Sequence, residues 1–269
     1  MADNALIEVR GLQLSLPDLN AKPLFGPAPR IPILKGLDFS IPRGSVLGIV
    51  GSSGSGKSTL GRALLRLIKP DAGQIRFDGV DITHLPETAL RPLRRRFQMI
   101  FQDPMSSLNP RRRVGGIIAG PLYLHGFDAV PARVARALAQ VGLPAGCATR
   151  FPHELSGGQR QRVGIARAIA LEPEFLLADE IVSGLDVSSQ AQVLGVLERL
   201  VGDLGLTLAF ISHDLSVVRR LCDRVLVLRG GEIVESGMTG AVFAQPVSAC
   251  ARELLAAIPL PDPDQAGWA

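Results

Sequence analysis

The sequence predicts an α/β fold built around a parallel sheet, and three observations carry that prediction. Residues 46–50, 175–178 and 206–212 are apolar runs without alternation, the pattern of strands covered on both faces. Each is followed by a stretch of helical periodicity, at 57–69, 188–204 and 215–221. A glycine-rich turn joins the first run to the first helix. With 46% apolar and 20% charged residues in a 269-residue chain, a large buried core is affordable in area.

Taken in order, residues 6–14 and 33–41 alternate as half-buried strands. The stretch between them, 17–32, is too long and too rich in proline for a tight turn. A buried strand follows at 46–50, then a helix at 57–69 with Leu60, Leu64, Leu65 and Ile68 on one face. Short strands are expected at 74–77 and 99–101. Residues 103–155 show helical periodicity, clearest at 133–141, and no buried strand. That segment reads as a helical insert between two halves of the core (1–102 and 156–245), with a tail at 246–269. Beyond it come a helix at 159–170, strands at 175–178 and 206–212, and helices at 188–204 and 215–221. Asp214 caps the last of these, and a strand at 224–228 follows.

The polar residues fall where the buried runs end. Gly51-Ser52-Ser53-Gly54-Ser55-Gly56-Lys57-Ser58 follows the first run, and Thr59 continues into the helix. This is G-x-x-x-x-G-K-[ST] in a strand-to-helix setting, a loop that wraps nucleotide phosphates. Glycines let the backbone approach phosphate oxygens, the helix N-terminus adds positive potential, and Lys57 reaches the β- and γ-phosphates. Ser58 offers a hydroxyl to Mg²⁺. Asp179 ends the second run, placed to hold Mg²⁺ beside Ser58, and Glu180 is placed to polarise an attacking water. His213 ends the third, within reach of a γ-phosphate. Ligands of open parallel sheets sit beyond the carboxyl ends of the strands, so these three ends feed one site. Leu155-Ser156-Gly157-Gly158-Gln159 opens a helix with a capping box between Ser156 and Gln159. Two glycines in a first turn weaken a helix; they make sense where another chain's phosphate approaches the exposed N–H groups.

Several function classes are disfavoured. No apolar run reaches roughly 18 residues, so no bilayer span is expected, and neither is a secretory leader. Cys147, Cys222 and Cys250 are scattered and odd in number, which fits a reducing cytosol rather than a disulfide framework. His84, His125, His153 and His213 lack metal-ligand spacing. The formal charge is +4, concentrated at 91–96 and 111–113, and aromatics make up 4%. Basic runs without interleaved rings give no single-strand groove, so no nucleic acid is expected.

In this order, the phosphate loop, Gln102, residues 155–159, Asp179-Glu180, Ser183-Gly184-Leu185-Asp186 and His213 resemble the nucleotide-binding subunit of an ATP-binding cassette (ABC) transporter. The resemblance covers nearly the whole chain. Phe101-Gln102-Asp103-Pro104-Met105-Ser106-Ser107-Leu108-Asn109-Pro110-Arg111 and the tail Leu254-Leu255-Ala256-Ala257-Ile258-Pro259 are similar to the dipeptide, oligopeptide and nickel importer ATPases. The resemblance implies a P-loop core with an antiparallel β subdomain and a helical insert. It implies ATP and Mg²⁺, with Gln102 sensing metal and water, and a sandwich of two subunits. In that sandwich the loop at 51–58 of one chain faces residues 156–159 of the other, and Asp186 lies across the interface. It also implies a membrane-spanning permease docked on the insert at the cytoplasmic face, and an extracytoplasmic solute-binding protein acting indirectly. An ATPase serving a soluble enzyme complex would carry the same motifs; co-purification with a polytopic membrane protein separates the two.

The chain departs from the family at three positions. Ile181 stands where proline follows the glutamate, and Gly184 where alanine is usual, which together would loosen the turn between Glu180 and Asp186. Leu16 stands near the place of an adenine-stacking aromatic, a role Phe25 could take instead.

Overall fold

Two sheets organise the chain in the computed structural model, which describes residues 4–18, 20–21 and 26–257. The first sheet is antiparallel: β1 (Ala5–Pro17), β2 (Arg30–Pro42), β4 (Ala72–Phe77) and β5 (Val80–Asp81), ordered β2-β1-β4-β5. The second contains β3 (Val46–Gly51), β6 (Phe97–Ile100), β7 (Phe175–Asp179), β8 (Thr207–Ile211), β9 (Arg224–Arg229) and β10 (Glu232–Met238). Its order is β10-β9-β3-β8-β7-β6, parallel throughout except for β10 at the edge.

The unalternated runs are the parallel strands. Every residue of β3, β7 and β8 is buried, and successive side chains feed opposite cores. Phe175 and Leu177 of β7 join an apolar cluster with β1, β2 and β4. Leu176 and Ala178 join a second cluster on the helical side. The proline-rich connection is longer than a turn, yet it does close a hairpin: β1 and β2 stay paired out to Pro17 and Arg30. Phe25 lies outside the described residues, as do Ile258 and Pro259.

The first helix, α1 (Lys57–Leu64), stops earlier than its periodicity predicts. Arg66 turns left-handed at φ 53°, and the N–H groups of Leu67 and Ile68 donate back to the carbonyl of Arg62, a helix-ending arrangement. After α2 (Glu87–Leu93), residues between β6 and β7 form α3 (Pro104–Ser107), α4 (Val114–Leu124), α5 (Val130–Gln140) and α6 (Gly157–Ile169), with no strand among them. The chain continues through α7 (Val187–Leu204), α8 (Leu215–Leu221), α9 (Thr239–Ala244) and α10 (Ala249–Ala256). Asp214 caps α8, accepting from the N–H groups of Ser216 and Val217. The three cysteines are buried and unpaired. Among the described residues, no helix is long and apolar enough to cross a membrane, and no cluster of His, Cys, Asp and Glu has metal-binding geometry.

Candidate functional site

Parallel register sets the site. β3, β8 and β7 lie side by side, with Ile49 opposite Ile211 and Asp179 opposite Ile211. The groups that follow these strands therefore emerge at one level. The phosphate loop turns from β3 into α1, whose N-cap Gly56 has no side-chain cap and whose first turn has no acid. First-turn N–H groups are thus left for a ligand. Lys57 is buried, and its Nζ donates to the carbonyls of Gly51 (2.9 Å) and Ser52 (2.8 Å). Burial lowers its pKa, against the opposing charges of Glu180 and Asp179.

Ser58 Oγ donates to Asp179 Oδ1 at 3.1 Å. Asp179 is only 4% exposed. Burial raises its pKa, the Ser58 hydrogen bond opposes that shift, and the neighbouring Glu180 charge adds to it. These are hard oxygen donors beside a phosphate cradle, a donor set that fits Mg²⁺ held jointly with substrate phosphates.

Glu180 takes the left-handed backbone region at φ 49°, and its N–H donates to the carbonyl of Ile211 at 2.9 Å. Gln102, just past the end of β6, donates through Nε2 to Glu180 Oε2 at 2.9 Å. His213 Nδ1 lies 3.7 Å from Glu180 Oε1. A cavity of about 470 Å³ is lined by residues 53–59, Glu180, His213 and Ile33. The loop, glutamate and histidine predicted as one site are therefore brought together, with Gln102 against the glutamate. Ile33 is the addition that sequence reasoning missed.

Residues 155–159 are not among those lining this cavity. The predicted capping box is formed: Gln159 N–H donates to Ser156 Oγ (3.3 Å), and Ser156 N–H donates to Gln159 Oε1 (3.0 Å). The two glycines beside it have different reasons. A Cβ on Gly158 would sit 2.8 Å from Cβ and Oγ of Ser189 in α7, so packing within this chain accounts for that glycine. At Gly157, which is exposed, a Cβ would come no closer than 3.6 Å to Leu185. Asp186 caps α7, accepting from Ser189 N–H (2.8 Å) and Oγ (2.7 Å). Those hydrogen bonds hold its carboxyl below the usual range.

A second, larger groove of about 840 Å³ lies between β6 and α4. Phe97, Met99, Phe101, Ile117 and Leu124 line it, with Arg112 also in the wall. Helix α4 was not legible in the sequence, and neither was this groove.

Residues 34–183, more than half of the chain, match the family described as ABC transporter. A Brucella ovis protein, provisionally named as a peptide import ATP-binding protein, is 50% identical over 267 residues. That match covers 98% of this chain and 82% of the relative. The glutathione import ATP-binding protein GsiA of Salmonella paratyphi A is 47% identical over 264 residues, 97% of this chain and 42% of that protein. Among solved structures, the dimeric post-hydrolysis state of the ATP-binding cassette MJ0796 bound to ADP and Pi superposes with a TM-score of 0.76 at 27% identity. It covers 87% of this chain and 98% of that one. Fold, motif geometry and sequence agree: this chain belongs to the ABC transporter family, among its ATP-binding chains.

Proposed function

We propose that this chain is the ATP-hydrolysing subunit that energises an ABC importer, with peptides or a similar small solute as cargo. The observation that carries this reading is the placement of Glu180 at the end of β7, held by Gln102 and flanked by His213 beside the phosphate-loop cavity. Residues 51–59 cradle the triphosphate, and Lys57 neutralises its terminal oxygens. Glu180 takes a proton from the attacking water, His213 contacts the γ-phosphate, and Gln102 reports site occupancy to the helices that follow it. Ser58, Asp179 and Gln102 would hold Mg²⁺, which supplies charge neutralisation at the phosphates. The names of the relatives support peptide-type import.

The dimeric cassette among the structural neighbours, together with the exclusion of residues 155–159 from the lining of this chain's own cavity, supports a two-chain site. Residues 155–159 of one subunit would cover the nucleotide of the other, with Asp186 at the seam. Shifting a closed dimer from 1:99 to 99:1 takes about 5.5 kcal/mol. Each nucleotide at about 100 times its Kd supplies about 2.7 kcal/mol, so two are about the right size to drive closure. The apolar groove beside β6 would receive a cytoplasmic segment of a permease, which puts the subunit at the inner membrane face, with a solute-binding protein acting from the other side.

The test uses two variants. Glu180→Gln should bind ATP, abolish turnover and accumulate as a dimer by size-exclusion chromatography; unchanged turnover would remove Glu180 from the chemistry. Lys57→Ala should lose nucleotide binding altogether.

A further inference from the structure

The parallel strands carry another cavity at their opposite ends. Glu174 precedes β7 and Leu206 precedes β8, whereas Glu180 and His213 follow those strands. Five residues of strand span about 16 Å, so the two sites are separate. This cavity of about 480 Å³ lies among α5, the turn after α6 and the end of α7. Its apolar side is Ile169, Pro173, Leu204 and Leu206, with Ile169 and Leu206 each 4% exposed. Helix α5 adds Arg136 and Gln140, four residues apart and therefore neighbours on one helix face. The Gln140 side chain is half-buried, and among the described residues no hydrogen bond engages its amide. Glu172 completes the wall. Its Oε1 accepts from both Arg133 Nη1 (3.1 Å) and Arg136 Nη2, and its Oε2 from neither. Arg43 and Glu174 also line the cavity but are committed to each other at 2.7 Å.

We propose that this cavity binds a small zwitterion with an apolar body, namely a short peptide of aliphatic residues. The chemistry of the wall selects that class. A guanidinium has five N–H donors, so Arg136 can keep Glu172 and still hold a ligand carboxylate, with Gln140 as the second donor. The ligand's ammonium goes to Glu172 Oε2, and its side chains cover Ile169 and Leu206. An inorganic anion would leave the apolar side in water. An uncharged apolar ligand would bury Gln140 and Glu172 without partners, which is costly. The volume suits one small organic molecule.

Calorimetry of the full chain with the dipeptide leucyl-leucine, its C-terminal amide and its N-acetyl form tests this. The free dipeptide should bind with a Kd below about 1 mM. Each blocked form lacks one charge-assisted hydrogen bond and should bind at least about tenfold more weakly. Glycyl-glycine, without the apolar body, should also be weaker. Arg136→Ala and Gln140→Glu should each weaken leucyl-leucine by about tenfold or more, the first by losing a donor and the second by repelling the carboxylate. Both side chains lie at the surface of the fold, and a melting temperature within a few degrees of wild type certifies each variant. The site is overturned if leucyl-leucine gives no binding heat at about 10 mM, if the amide binds as well as the free acid, or if both variants bind as the wild type does. Neither nucleotide nor permease enters the measurement, so its failure leaves the nucleotide site untouched.

Discussion

Glu180 occupies a backbone region that L-residues enter at a cost, and its neighbours hold it there. Its N–H is taken by Ile211, its carbonyl accepts from both N–H (3.1 Å) and Oγ (2.7 Å) of Ser183, and Ile181 beside it is only 1% exposed. The sequence alone suggests that Gly184 loosens this turn. Its φ of 74° gives the glycine another purpose, because it fits the left-handed geometry the turn requires. Gly184→Ala should therefore cost about 1 kcal/mol of stability. Urea denaturation checks this, and an unchanged midpoint would show that the turn relaxes around the new methyl.

Helix α6 illustrates how a local rule and a packing rule compete. Alanine at position 158 would raise helix propensity by about 1 kcal/mol, but the added methyl would be driven into Ser189. Packing should win, and Gly158→Ala should destabilise the fold by roughly 1–2 kcal/mol net; a melting temperature above wild type would refute this. The same contrast explains what the sequence disclosed. Periodicity marks α6, α7 and α8, with a cap signal added at α6 and α8, and the phosphate loop, Asp179-Glu180 and the Ser156–Gln159 box are contiguous or local. Helix α4 escaped because Gly115, Gly116, Gly120 and Pro121 obscure it. Val114, Ile117, Ile118 and Leu122, buried on one face, hold it in place. Edge strand β10, with Glu232, Glu235 and Ser236, is a strand by pairing rather than by propensity. The Gln102–Glu180 contact and the presence of Ile33 at the cavity depend on long-range register, which no local pattern encodes.

At the scale of the whole molecule, the two sheets are tied by an ionic ring. Arg43, after β2, bonds Asp78 (2.5 Å) and Glu174 (2.7 Å). Arg96, before β6, bonds Glu174 (2.5 Å) and Asp78, and its guanidinium lies 4.9 Å from the Phe77 ring centroid. The Arg96 hydrogen bond, followed by that of Arg43, depresses the Glu174 pKa from 4.5 to about 2. A carboxyl depressed on folding contributes stability above its unfolded value, and the contribution fades as pH falls from about 4.5 through about 2. Because the ring is about one-third exposed, solvent screens it. Glu174→Gln should cost only about 1 kcal/mol at pH 7, and the deficit should vanish in acid. A deficit independent of pH would assign it to packing instead.

Gly231, in the turn between β9 and β10, donates to the Ser55 carbonyl (3.2 Å) and accepts from Lys35 N–H (2.9 Å), and these bonds carry a lesson for the smallest piece of chain that could work. Every recognisable motif, from the glycine cradle to His213, precedes residue 230. A truncation there would preserve every residue proposed for catalysis yet remove the strut beneath the glycine cradle. The minimal working unit is delimited by a late, unremarkable hairpin.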